Sequence, residues 1–104
     1  MEHLAKRASQ IGEFFSKVGN ADSVGLVVVD SPAEAEFLVT LARNMYPGQA
    51  IFSAMAIQRG STVEIGGVPP DQKGPLILIV RRAVVQHVKA HPVWGKKVIG
   101  TLGA

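Results

Sequence analysis

The run Val24-Gly25-Leu26-Val27-Val28-Val29, followed at once by Asp30-Ser31-Pro32-Ala33-Glu34, constrains the chain most. Six residues that are β-branched or apolar at both alternating positions make a strand covered on both sides. Ser31 is placed to cap a helix, Pro32 suits its first position, and Glu34 can complete a capping box. A strand buried on both faces that feeds directly into a helix predicts an α/β sheet with helices laid across it.

The same logic divides the rest of the chain. Leu4, Ala8, Ile11, Phe15 and Val18 recur at helical spacing, so residues 4–18 are expected to form an amphipathic helix, stopped by Gly19-Asn20. The helix begun at Pro32 should run to about Tyr46, where Pro47-Gly48 ends it, with Leu38, Leu41, Ala42 and Met45 on its inner face. Ala50–Gln58 is expected as a second strand, and Ser61–Ile65 as a half-exposed one with Val63 and Ile65 inward. Residues 66–75 form the one long irregular loop. Leu76–Val80 is a third buried strand, residues 83–90 a short helix ended by His91-Pro92, and Lys97–Leu102 a last strand.

This order predicts a single domain over residues 1–104, with an N-terminal helix in 1–20 and an α/β core in 23–104. The expected layout is a ferredoxin-like βαββαβ sandwich of α+β type, with an extra helix and a hairpin arm over 59–75. The alternative is a small, flavodoxin-like, mostly parallel sheet. The two differ in whether Leu76–Val80 runs antiparallel or parallel to Ala50–Gln58.

Composition narrows the function classes. The chain has no cysteine, which excludes disulfides, thiolate metal sites and cysteine catalysis. The N-terminal residues enter an amphipathic pattern rather than a signal-peptide core. No apolar run nears the ~20 residues of a membrane span, so a cytoplasmic location is expected. Hydrophobic residues make up 47% and charged residues only 18%. That balance suggests apolar surface covered by another subunit, or a well-filled core.

Charge is unevenly spread. Residues 1–36 carry six acids and three bases, whereas residues 73–104 carry six bases and no acid. Lys73, Arg81, Arg82, Lys89, Lys96 and Lys97, with Trp94 among them, are the candidate face for an anion or nucleic acid. Alternatively, the two ends fold together and neutralise each other. Trp94 can stack on a ring or cap the end of the core.

Other candidates are thinner. Asp30 stands where a strand meets a helix, a position favoured for catalytic acids, but no second carboxylate accompanies it. His87 and His91 have the i, i+4 spacing of a metal pair without a third ligand. Gly66-Gly67 offers backbone amides to a phosphate but matches no nucleotide-binding motif. Ser31, Ser53 and Ser61 lack a histidine and acid at motif spacing. No cofactor is expected. The leading reading is a non-catalytic interaction or regulatory module that associates with itself. Anion or nucleic-acid binding through the basic third comes next, then a small enzyme using Asp30.

Overall fold

A computed structural model describes the backbone of residues 2–18, 22–69, 71–72 and 75–103, and all their side chains except those of 2, 3, 15, 17 and 18. The expected roles of Phe15 and Val18 in the first helix, the stop at 19–20, and Lys73 fall outside the described residues.

The chain order is α1 (Glu2–Val18), β1 (Val24–Val29), α2 (Pro32–Met45), β2 (Ala50–Ser53), β3 (Met55–Arg59), β4 (Thr62–Gly66), β5 (Leu76–Arg81), α3 (Arg82–Lys89), a 3₁₀ turn (Gly95–Lys97) and β6 (Val98–Leu102). Four strands form one sheet in the order β2-β5-β1-β6, and every neighbouring pair is parallel. β3 and β4 make a separate antiparallel hairpin.

Both faces of the sheet are covered, as the apolar runs require. Val27, Val29, Ile51, Ile77 and Ile79 point toward α1 and α2. Leu26, Val28, Leu76, Leu78 and Val80 point the other way, toward α3, Trp94 and the base of the hairpin. This is the period-two alternation of a strand, with both phases apolar. The N-terminal helix does not stand apart. Leu4, Ala8, Ile11 and Phe14 are buried, and α1 lies against α2, β1 and β6.

The ferredoxin-like layout required β5 to run antiparallel to the segment after α2. Instead Ala50–Ser53 pairs in parallel with Leu76–Ile79. The reason lies in segment 54–75. It goes out as β3, comes back as β4, and then returns to the end of the sheet where β2 began. A connection of that length is a crossover, whereas an antiparallel neighbour needs only a tight turn. The mostly parallel alternative has the right strand direction. Its flavodoxin-like order does not hold, because β5 is inserted between β1 and β2.

The single strand expected over Ala50–Gln58 is broken at Ala54. The Ala54 N–H donates to the Ile79 carbonyl at 3.0 Å as the last rung with β5, and the chain then leaves to pair with β4. Along α2, Leu38 and Ala42 are buried as expected, but Met45 is 43% exposed and Phe37 40%.

Neither outer edge of the sheet is a clean template for another strand. On the β2 edge, the Arg43 Nε donates to the Ile51 carbonyl at 2.9 Å. On β6, Val24 pairs with Val98 but Gly25 with Gly100, so Ile99 is an inserted residue. A bulge of this kind bends an edge away from pairing.

Candidate ligand-binding cleft at the carboxyl end of the sheet

β1 and β5 are neighbours, yet they send their helices to opposite faces. The crossover from β1 to β2 moves one way across the sheet over one face. That from β5 to β6 moves the other way over the opposite face, so the two have the same hand. The carboxyl ends of β1 and β5 are therefore the topological switch point, where open α/β sheets present a crevice.

In this chain the crevice is largely filled by its own side chains. Ser31 is the N-cap of α2, with extended backbone (φ −148°, ψ 159°), and its Oγ accepts the Glu34 N–H at 3.1 Å. Glu34 Oε1 in turn accepts the Asp30 N–H at 3.0 Å. The Arg82 Nε donates to Asp30 Oδ1 at 3.2 Å, with both side chains more than half exposed. The Arg7 guanidinium donates to the Val28 carbonyl, just past the last residue of β1 that β6 pairs with. The first turn of α2 is thus capped and carries an acid. That of α3 has no side-chain cap and no acid.

The open space lies beside this point, at the carboxyl ends of β2 and β5. It is a cleft of about 650 Å³, within the usual size range of small-molecule sites. One wall is a stripe of α2: Pro32, Ala35, Glu36, Val39, Thr40 and Arg43. Their spacing of three and four puts them on one helical face. Ser53, Ala54 and Met55, where the chain leaves the sheet, form the floor and far side. Gly67 and Arg81 complete the lining. Gly67 has φ +86°, and a Cβ there would overlap the Ser53 carbonyl oxygen, so the turn after β4 lies directly against the end of β2. Arg43 holds the cleft's lower wall by its bond to Ile51 and lies 5.4 Å over the Phe52 ring.

The five described bases of the C-terminal third do not form one face. Arg81 and Arg82 stand at the carboxyl end of the sheet. Lys89, Trp94, Lys96 and Lys97 stand at the amino end, where α3 finishes and β6 begins. A six-residue strand separates the two groups by roughly 20 Å. Two of these bases meet acids from the first third of the chain: Arg82 meets Asp30, and Lys97 Nζ lies 2.5 Å from Asp22 Oδ2. The ends of the chain thus do partly neutralise one another.

Trp94 is buried in the α3-side core, and its ring stacks on His91 with centroids 4.4 Å apart. His91 Nδ1 accepts the N–H groups of Val93 and Trp94 at 3.1 Å each, which fixes the turn after α3. This histidine organises backbone rather than facing a metal. Among the described residues no group of three or more potential metal-binding side chains exists. Asp30 and His91 are at opposite ends of the sheet, and the cleft includes neither.

No family model matches the chain, and no curated protein or solved structure matches it either. The cleft must be judged on its own chemistry. Of its residues, Arg81, Ser53 and Gly67 stand out in the sequence, each for a different reason. Glu36, Thr40 and Arg43 do not, although their spacing marks a polar stripe on a helix whose adjoining face, Ala35, Leu38, Val39 and Ala42, is buried.

Proposed function

We propose that this domain is a non-catalytic binding module that takes a small anionic ligand in the cleft beside α2. The observation that carries this reading is the placement of Arg81 and Arg43 in the lining of a 650 Å³ cleft at the carboxyl end of a parallel sheet. Guanidinium groups suit carboxylate and phosphate oxygens better than any other side chain. Of the two, Arg81 is the main candidate, since Arg43 already donates through its Nε to the Ile51 carbonyl. Arg82 lies outside the lining and pairs with Asp30. Calorimetric titration with small carboxylates and inorganic phosphate at low ionic strength tests the reading. Binding should fall as salt rises and weaken in Arg81→Ala, while Lys96→Ala, at the other end of the sheet, leaves it unchanged. Equal loss in both variants would point to diffuse charge instead of a site.

Self-association is the second reading. It is favoured by one observation: Phe37 and Met45 stand exposed on α2, with half-buried Leu41 between them in the same stripe. It draws no support from Leu4, Ala8, Ile11 and Phe14 of α1, which are buried within the chain. Light scattering behind size exclusion decides it, and a strictly monomeric species at tens of micromolar speaks against it.

A further inference from the structure

The geometry points to a specific ligand class for the cleft: a singly charged anionic head, a carboxylate above all, on an aliphatic body. This inference rests on the ligand-binding reading above and narrows it. Three observations carry it.

The first is the wall between the two arginines. Ala35, Val39 and Met55 supply apolar surface, and none of the lining residues is aromatic. A nucleobase is ordinarily held by stacking on an aromatic ring, which this cleft does not offer. A flexible alkyl chain needs only area, and Met55, 49% exposed, is an adaptable partner for one.

The second is charge. Glu36 lies in the same lining as Arg81 and Arg43, so the three side chains sum to a single positive charge. A carboxylate balances it. A polyphosphate would bring excess charge close to Glu36, and like charges at short range are unfavourable.

The third is shape. The α2 wall from Pro32 to Arg43 is roughly 17 Å long, so the cleft is a trough rather than a round hole. A head group at Arg81, at the carboxyl end, leaves the trough along α2 for a chain running toward Arg43.

The test is a ¹H–¹⁵N correlation titration of the full chain with butanoate, octanoate, octyl phosphate, AMP and inorganic phosphate. Octanoate is expected to shift amides of α2 and residues 53–55, 67 and 81, and to bind more tightly than butanoate. Each methylene that is buried contributes up to about fourfold in Kd. Arg81→Ala should weaken octanoate binding by about tenfold or more. Glu36→Gln should favour octyl phosphate over octanoate relative to the parent chain. AMP should bind no better than inorganic phosphate. Both variants change exposed side chains, and the same spectra report whether they remain folded. Butanoate equal to octanoate, or AMP tighter than octyl phosphate, would overturn the aliphatic inference and leave anion binding in place. If no anion moves the cleft's amides, both readings fall.

Discussion

Gly67 and His91 each hold a turn together with a single chemical property. At Gly67 the property is the absence of a Cβ. Its φ of +86° is left-handed, and its neighbour is the Ser53 carbonyl. Gly48 has a similar φ of +88°, and nothing lies within 4 Å of the point where a methyl would stand. Gly48→Ala should therefore cost only the left-handed penalty, about 1–2 kcal/mol. Gly67→Ala adds to that an overlap with backbone, so its urea-unfolding loss should exceed that of Gly48→Ala by about 1 kcal/mol or more. Equal losses would mean that the Ser53 contact yields freely. At His91 the property is a bare ring nitrogen. It accepts two backbone N–H groups, so the ring's proton is on Nε2. His91→Ala removes the acceptor and the stack on Trp94. Stability should drop by about 1–2 kcal/mol, and the emission of the single tryptophan should change because its covering ring is gone. An unchanged spectrum would contradict the stacked arrangement.

α2 shows how one element serves three surfaces. Leu38 and Ala42 are buried against the sheet, Glu36, Thr40 and Arg43 face the cleft, and Phe37 and Met45 are exposed. Its position depends on its first turn. Ser31→Ala removes the oxygen that accepts the Glu34 N–H and should cost about 1 kcal/mol in chemical denaturation. The Asp30–Arg82 pair beside it is exposed on both sides, so a double-mutant cycle should return under about 1 kcal/mol of coupling. This start signal can be read directly from Ser31-Pro32-Ala33-Glu34, because a cap is a contact between residues three apart. The cleft stripe of the same helix is less legible. Its polar residues make one bond within the helix, from the Thr40 Oγ1 to the Glu36 carbonyl, which does not mark a site. The cleft exists only because β2 and the Gly67 turn lie opposite.

For the whole molecule, the sheet is the common floor of two cores, and α1 is part of one of them. Leu4, Ile11 and Phe14 are each buried, and covering such side chains stabilises by about 1.5–3 kcal/mol apiece. Their sum is comparable to the total stability of an ordinary domain. A chain truncated to residues 22–104 should lose its cooperative thermal transition, followed by circular dichroism. A sharp melt in the truncated chain would show that the helix is an accessory, as the division at residues 20–23 suggests. The cleft is likewise a property of the whole, since α2, the end of β2, the Gly67 turn and Arg81 come from four separate stretches of chain.

The residue pattern by itself determined most of the elements: the runs at 24–29 and 76–80, apolar in both phases, became shielded strands, and the amphipathic stripes became helices. Those outcomes depend on side chains a few positions apart, which the order of residues encodes directly. The strand expected over 50–58 was instead split between the sheet and the exposed hairpin. Only the tertiary structure decided that β5 enters between β1 and β2 in parallel, that the basic residues divide between the two ends of the sheet, and that Arg43 and Arg81 share a cleft. Each of these depends on which end of the sheet the 54–75 segment returns to. That choice is made by long-range packing of the hairpin and the chain beyond it, and no local periodicity records it.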